Sequence, residues 1–231
     1  MSRPLRSSRP SPGREVREAL VAHAIEILEG EGPGALSLRE LASRVGVSQP
    51  ALYRHFVSKE ALLDEVIARG TRGFAVRTRE AMEGQREAYG ALGAYARAYV
   101  RHAVENRGWF RLAFGRSERE RGMEPEIALE MAASRDLCLR ALACVVPPTS
   151  PAFGHTFRML WSVSHGLASM VTERVFQLVS DDDARLAAAD LVIDETIATL
   201  RARWGEARPM ASAPEVSEAD LVRGLAGARA R

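Results

Sequence analysis

Long apolar runs are missing from this chain of 231 residues. No stretch of about eighteen consecutive apolar residues occurs, so we expect no transmembrane helix. The N-terminus is rich in arginine but is not followed by an apolar segment, which argues against a secretory signal peptide. The sequence therefore predicts a protein that works in the cytoplasm.

Cysteine is scarce, with Cys138 and Cys144 as the two examples. Six positions apart on one helix, they would be separated by about 9 Å of helical rise, which is too far for a disulfide. Neither has a histidine or cysteine partner at zinc-like spacing, so we expect no metal site, and nothing in the sequence indicates a cofactor. Two buried thiols are predicted, and a redox sensor is the alternative.

Strand-like alternation, internal repeats and a glycine-rich phosphate loop are missing as well. Helical periodicity runs through most of the chain instead and predicts an all-α protein of about nine helices. No catalytic residues stand out, because His102, His155 and His165 have no carboxylate or cysteine partner nearby in the sequence. We therefore expect no enzyme, although a site assembled from distant residues is the alternative.

An excess of one charge occurs only near the N-terminus. Residues 1–60 hold nine Lys and Arg against seven Asp and Glu, whereas residues 61–231 hold 23 of each. The first fourteen residues contain four arginines and no acid. Residues 1–13 are predicted to be a disordered basic arm, which either adds contacts to nucleic-acid phosphates or serves no specific purpose.

Two short amphipathic helices separated by a glycine are predicted within residues 37–60. Ser37 and Glu40 have the Ser-x-x-Glu spacing of a capping box at the start of the first helix. Gly46 follows the last apolar residue of that helix and is suited to the left-handed conformation that ends it. The pattern is typical of a helix-turn-helix.

The second of these helices is predicted to have a polar and aromatic outward face. Ser48 can cap it, and Pro50 fits its first turn, where a missing N–H costs nothing. A helix of about eight residues is unstable alone in water, so Leu52 and Phe56 are expected to be buried. The side chains left facing outward are Gln49, Ala51, Tyr53, Arg54 and His55.

The stretch from about Arg14 to Phe74 resembles the DNA-binding domain of the tetracycline-repressor (TetR) family. The resemblance is carried by EVREALVAHAIEILEGEG and by the blocks LSLRELA, VGVS, ALYRHF and KEALL. A weaker likeness, at Trp161, His165 and Gly166, is to the Trp…His-Gly pattern of one subgroup of TetR-type C-terminal domains. The family implies an all-helical homodimer, in which N-terminal three-helix domains bind operator half-sites and C-terminal helical domains bind an effector.

The resemblance also assigns roles around the second helix. Tyr53, His55 and Lys59 match positions that contact phosphates, and Arg39 matches a position that often reads a base. The chemistry agrees, since Gln can pair with adenine, Arg with guanine, and Ala with a thymine methyl. Arg54 occupies a variable position and is either in contact with DNA or only solvated. The expected DNA-contact set is Ser37, Arg39, Ser48, Gln49, Ala51, Tyr53, Arg54, His55 and Lys59; a generic helical hairpin is the alternative.

Domain boundaries follow from the resemblance and the periodicity. Residues 14–74 are expected to be the DNA-binding domain, residues 75–204 the effector-binding and dimerisation domain, and residues 205–231 a flexible tail with one short helix. Ser58 is predicted to cap a helix that reaches about Met82 and joins the two domains.

Aromatic and imidazole side chains recur in the second domain. By family likeness its helices surround a cavity, and the predicted lining is Tyr95, Tyr99, His102, Trp109, Phe110, Phe114, Phe157, Trp161 and His165. An ordinary place in the core is the alternative for each of them, and His165 is either a core histidine or a polar anchor. The aromatic content favours a hydrophobic or planar effector.

Two long apolar helices are predicted at residues 151–179 and 183–204. In the family such helices from each subunit form a four-helix dimer interface, and a monomeric core is the alternative. The function we expect is a ligand-responsive repressor, acting at the nucleoid, that binds a palindromic operator as a homodimer and is released by a small effector. A DNA-binding protein without an effector is the alternative, and activation in place of repression is left open.

Overall fold

The computed structural model describes residues 12–115, 125–175 and 181–222, and these ranges form helices without any strand. The predicted all-α class is therefore confirmed for the described part of the chain, which also has short 3₁₀ turns at Pro33–Ala35 and Met210–Ser212. The ten α-helices in these ranges are α1 (Pro12–Gly30), α2 (Leu38–Val45), α3 (Gln49–Tyr53), α4 (Lys59–Met82), α5 (Ala88–Glu105), α6 (Arg107–Phe114), α7 (Pro125–Ala143), α8 (Ala152–Thr172), α9 (Asp182–Trp204) and α10 (Glu218–Val222).

The described residues form two compact units. The first contains the chain up to Arg69 and the segment that begins at Gly108, and the second contains Gly70–Arg107 and the residues from Pro125 onward. The division falls inside α4, so this helix contributes to both units. The division comes after Arg69, whereas the expected boundary follows residue 74, and α6 also belongs to the first unit.

Gly108 explains why α6 packs in the first unit. Its N–H donates to a carboxylate oxygen of Glu29 at the end of α1, with a nitrogen–oxygen distance of 2.8 Å. A Cβ at this position would lie 2.8 Å from the Cβ of Leu28. The missing side chain therefore lets the start of α6 lie directly against α1.

Ion pairs join α1 to α4 within the first unit. A carboxylate oxygen of Glu65 lies 2.7 Å from Arg17, and its other oxygen lies 2.8 Å from Arg69. Arg69 also reaches Glu18 at 2.7 Å. Burial alone would raise the pKa of Glu65, but the hydrogen bonds from Arg17 and Arg69 outweigh burial and lower it. The network therefore favours the charged form of Glu65.

Helix α5 is the centre of the second unit and packs against α7, α8 and α9. Its buried residues include Tyr89, Leu92 and Tyr99. Helix α8 ends at Thr172, so its predicted extension to residue 179 is wrong. Arg174 takes a left-handed backbone with φ of 53°, and the N–H of Val175 reaches back to the carbonyl of Met170 at 2.9 Å. This closure ends the helix although Val175 would have continued its apolar pattern.

The segment 205–222, which we name the C-terminal segment, is packed against the second unit, in contrast to the flexible tail expected from its composition. Backbone N–H groups of Arg208 and Met210 donate to the carbonyls of Cys144 and Arg86, at 2.9 and 3.3 Å. Arg158 donates to the carbonyl of Leu221 at 3.2 Å. The short helix expected near residues 217–225 is present as α10, while residues 223–231 and the basic arm at residues 1–11 lie outside the described residues.

The C-terminal segment packs directly against Gly154 of α8. A Cβ at this position would lie 2.3 Å from the carbonyl oxygen of Leu221. Any other residue would therefore clash with the backbone of α10, so glycine is needed for this approach.

Candidate nucleic-acid interface and ligand cavity

The turn between α2 and α3 has the geometry predicted from the sequence. Gly46 is left-handed, with φ of 76° and ψ of 28°, and its N–H bonds back to the end of α2. Ser48 caps α3 by accepting the N–H of Ala51 at 3.3 Å. Both of these predictions are confirmed, and they fix the direction in which α3 leaves the turn.

The predicted capping box at the start of α2 is wrong. Ser37 lies at the N-cap position, but its side chain makes no capping hydrogen bond. Glu40 is held instead by Arg44 one turn later, with a nitrogen–oxygen distance of 2.5 Å. A charge-assisted hydrogen bond to arginine is stronger than one to a neutral backbone N–H, so the ion pair prevails.

Helix α3 has one buried side and one side that faces outward. Leu52 and Phe56 are almost completely buried, as predicted. The regular helix is only five residues long, shorter than expected, and Arg54 and His55 continue it as a turn. Tyr53 is 44% exposed, the largest exposed side chain of the helix.

The nine residues predicted to contact DNA all lie in the first unit. Two are at the start of α2, and the others follow the turn on or beside α3 and at the start of α4. Exposed among them are Ser37, Arg39, Ser48, Gln49, Tyr53 and Arg54; half-buried are Ala51, His55 and Lys59. No acidic residue occurs between Ser48 and Lys59, so this surface is suited to a negatively charged partner.

Lys59 has a second role that the sequence does not reveal. Its Nζ donates to the carbonyl of Leu36, at 2.6 Å, and so ties the start of α4 to the segment before α2. An ammonium group has three donors. Two N–H groups of Lys59 therefore remain beyond this bond for a phosphate.

A cavity lies in the second unit among α5, α7 and α8. Its empty space is about 290 Å³, counting the part that opens to solvent. Three residues of the predicted lining border it, namely Tyr95, Phe157 and Trp161. The sequence analysis missed the remaining lining residues, which are Leu92, Ala96, Cys138, Leu160 and Ser164. Their spacing of three or four from the predicted aromatics places them on the same helical faces and could have identified them.

Tyr99 and His165 form a pair beside this cavity. The Tyr99 hydroxyl lies 2.9 Å from Nδ1 of His165. Burial raises the pKa of Tyr99 well above its ordinary value, so the hydroxyl keeps its proton. Trp161 stacks on His165 with ring centroids 4.9 Å apart. His165 therefore positions Trp161 at the cavity, while its own ring does not border the empty space.

The three aromatic residues of α6 belong to the first unit and not to the cavity lining. Trp109 and Phe110 are buried, and Phe114 is half-buried. The rings of Phe110 and Phe114 are 5.2 Å apart, and those of Trp109 and Phe114 are 6.0 Å apart. Their contacts describe a small aromatic core next to α1.

His102 is held between α5 and the middle of α4. Because a carbonyl oxygen can only accept, Nε2 carries the proton that it donates to Gly70 at 2.9 Å. A Cβ at Gly73 would lie 3.2 Å from the His102 ring. Burial, the main cause, lowers the pKa of His102 to about 4. The absence of a side chain at Gly73 therefore lets the His102 ring pack closely against α4.

Replacing His102 by glutamine is expected to remove a pH dependence of stability. Between pH 4 and the ordinary His pKa of 6.5, the unfolded chain binds a proton that the folded chain does not. The contribution of neutral His102 to the free energy of unfolding is therefore completely present above pH 6.5. It falls by about 3 kcal/mol as the pH drops through this window. Urea unfolding of the parent chain and of His102→Gln at a series of pH values would measure it. Parallel curves for the two proteins would contradict the assignment to His102.

Both cysteines are free and buried. Burial raises the pKa of Cys138 to about 12, so its thiol stays protonated at neutral pH and is a poor nucleophile. This finding disfavours the redox-sensor alternative. Among the described residues, no group of three metal-type ligands occurs, and no helix there is long and apolar enough to cross a membrane.

Comparisons with known proteins agree with the geometry. The family model described as "Bacterial regulatory proteins, tetR family" matches residues 20–66, and that described as "Tetracyclin repressor-like, C-terminal domain" matches residues 92–204. The HTH-type transcriptional activator FasR of Mycolicibacterium smegmatis is 28% identical over 149 residues, which are 64% of this chain and 67% of FasR. The tetracycline repressor class C of Escherichia coli is 54% identical over 48 residues, but these are only 21% of this chain and 22% of the repressor.

A solved structure extends the likeness over nearly the whole chain. A protein with unknown function from Rhodococcus sp. RHA1 is 25% identical and superposes with a TM-score of 0.65, covering 90% of this chain and 100% of that one. The first family model lies at the helix-turn-helix, and the second covers the helices around the cavity together with α6. The chain therefore belongs to the tetR family of bacterial regulatory proteins, which are DNA-binding regulators of transcription.

Proposed function

We propose that this protein is a ligand-responsive repressor, which binds a palindromic operator as a homodimer and releases it when a small hydrophobic or planar effector occupies the cavity. The main observation that supports the proposal is the exposure of polar and aromatic side chains on the outward side of α3. Gln49, Tyr53 and Arg54 are exposed there, while Leu52 and Phe56 anchor the helix from behind.

This surface combines the two kinds of contact that DNA reading requires. Tyr53, Lys59 and the Ser48 hydroxyl suit phosphates, which position the protein without reading sequence. Gln49 and Arg54 can form paired hydrogen bonds to base edges in the major groove. Arg39, exposed at the start of α2, is a second candidate for a base contact.

Uncovered faces of α8 and α9 support the homodimer. On α8, Met159 is 42% exposed, and a Cβ at Gly166 would meet no atom within 4 Å. On α9, Leu191 and Val192 are 72% and 45% exposed. Apolar side chains left in water on neighbouring long helices are typical of an interaction surface. A second copy would cover these faces and place two α3 helices on one palindrome.

The regulatory response requires that the effector prefer one arrangement of the protein over another. Helix α4 contributes residues to both units, and Gly70, Phe74 and Thr78 of this helix contact residues of α5 and α7. An effector that favours the arrangement unsuited to DNA would lower operator affinity, with a coupling of about 1–3 kcal/mol in typical cases. We propose repression because two relatives in Escherichia coli, 54% and 49% identical over 48 and 45 residues, are named tetracycline repressors, although FasR is named an activator.

Titration of the purified chain against palindromes from the DNA upstream of its own gene tests the proposal. Fluorescence anisotropy should show one dimer per palindrome, and a hydrophobic compound that binds the protein should reduce the affinity. A lack of affinity for any duplex would overturn the proposal. Unchanged operator affinity with a compound bound would instead favour the effector-independent alternative.

Gln49→Ala is expected to relax sequence preference. If Gln49 pairs with an adenine edge, its loss should cost about 1–3 kcal/mol at the cognate base pair. Affinity for operators that already differ at this base pair should hardly change. Anisotropy titrations against a set of single-base operator variants would measure the difference. Equal losses on every sequence would place Gln49 among the positioning residues.

Lys59→Ala is the contrasting variant, since a phosphate contact carries no sequence information. Binding should weaken on all duplexes alike, and the slope of log affinity against log salt should decrease by about 1 for each lost phosphate contact. Thermal unfolding of Lys59→Ala must be measured in parallel, because the variant also loses the bond to Leu36. An unchanged salt slope in a folded variant would contradict the phosphate assignment.

A further inference from the structure

The first turns of α1 lie beside the end of α3 in the first unit. A Cβ at Gly13 would lie 3.9 Å from Cε1 of the His55 ring. One turn further along α1, the guanidinium carbon of Arg17 lies over the ring of Phe56, 4.8 Å from its centroid. These two contacts fix the point at which the chain enters α1. That point is next to the predicted DNA-contact residues at the end of α3.

The acidic side chains near this entry point are offset by arginines. Arg17 pairs with Glu65 and Arg69 pairs with Glu18, at 2.7 Å in each case. The hydrogen bond from Arg69 lowers the pKa of Glu18. Glu15 is exposed in the first turn of α1, and the residue before it is an arginine. The negative charge of these acids is therefore balanced locally, so it does not repel a nucleic acid.

The residues before α1 supply positive charge alone. Residues 1–11 contain Arg3, Arg6 and Arg9, at every third position, and neither Asp nor Glu. Because a chain extends by at most about 3.5 Å per residue, these arginines can lie up to about 10, 20 and 30 Å from Pro12. The largest of these distances approaches one turn of the duplex, which is about 34 Å. The arginines can therefore reach DNA beyond the base pairs that α3 would cover.

We propose that residues 1–11 bind phosphates of the duplex that flanks each half-site, with three arginines from each subunit. The inference deepens the proposed function and rests on it in placing α3 on DNA. Phosphate contacts of this kind do not read sequence, but they raise the affinity for every duplex and make it dependent on salt. Operator affinity should therefore depend on the length of DNA outside the palindrome.

A variant of the full chain with Arg3→Ala, Arg6→Ala and Arg9→Ala tests the proposal. Fluorescence anisotropy is measured on two duplexes, one ending at the palindrome and one with about ten more base pairs, a helical turn, at each end. The parent chain should bind the longer duplex at least about tenfold more tightly, and the variant should lose this preference. On the longer duplex the slope of log affinity against log salt should decrease by up to about 5, since a dimer loses six arginines.

Two further variants serve as controls. Arg223→Ala, Arg229→Ala and Arg231→Ala together remove the same number of positive charges after α10, and this variant should bind both duplexes as the parent does. Replacing the three N-terminal arginines by lysine keeps the charge, and an ammonium group binds phosphate as a point charge. The lysine variant should therefore keep most of the preference for the longer duplex.

Three results would overturn the inference while leaving the proposed function intact. The first is an equal salt slope on the longer duplex for the parent and the N-terminal alanine variant. The second is an equal loss in the C-terminal control, which would mean that net charge alone is responsible. The third is a lysine variant as weak as the alanine variant, which would mean that the arginines do not act through phosphate charge. A lack of affinity for any duplex would overturn the inference and the proposed function together.

Discussion

Replacing Leu52 by alanine should lower the free energy of unfolding by about 3–5 kcal/mol and abolish operator binding at moderate temperature. Leu52 is completely buried and is the only buried side chain within α3. A helix of five residues has almost no stability of its own, so its position depends on this anchor. Chemical denaturation followed by circular dichroism would give the loss of stability.

The matched control is the next residue of the same helix. Tyr53 is exposed, so Tyr53→Ala should change the free energy of unfolding by less than about 0.5 kcal/mol while still weakening operator binding. The two variants thus separate anchoring from DNA contact within one turn of helix. A stable Leu52→Ala variant, or a Tyr53→Ala variant with full operator affinity, would contradict the orientation of α3 described above.

Replacing Phe74 by alanine should cost about 3–5 kcal/mol of stability in the second unit. The Phe74 ring is 2% exposed and lies 5.2 Å from Tyr99, with the planes nearly perpendicular, and 5.7 Å from His102. Edge-to-face contacts of this kind add to the free energy of simple burial. Truncation would leave a cavity between α4 and α5.

Val76→Ala controls for helix propensity and general effects of substitution, since Val76 lies two residues further along α4 and is 40% exposed. It should be nearly neutral. Urea titrations of both variants give the comparison. A Phe74→Ala variant no less stable than Val76→Ala would mean that the aromatic cluster contributes little.

The helix-turn-helix could be predicted from sequence because its determinants are local. Gly46 and Ser48 act through the backbone of their own turn, and Leu52 and Phe56 follow from helical spacing. The capping box at Ser37 failed for a related reason. Arg44 lies only one turn after Glu40, and its ion pair with Glu40 competes with the cap.

Features that depend on distant contacts were not predictable in this way. The aromatic residues of α6 lie in the first unit because Gly108 packs on Leu28, which is 80 positions earlier in the chain. The C-terminal segment looked loose by composition, yet backbone hydrogen bonds to Cys144 and Arg86 hold it. The small residues of the cavity wall, such as Ala96 and Ser164, attract no attention until the helices around them are placed.

The contact between Gly154 and Leu221 has an evolutionary consequence. The two helices meet there backbone to backbone, so the fit depends on the absence of a side chain at Gly154 and hardly on which side chain Leu221 carries. Mutational drift should therefore be tolerated at the later position and purged at the earlier one. Distant relatives could keep this docking while the docked sequence itself diverges beyond recognition.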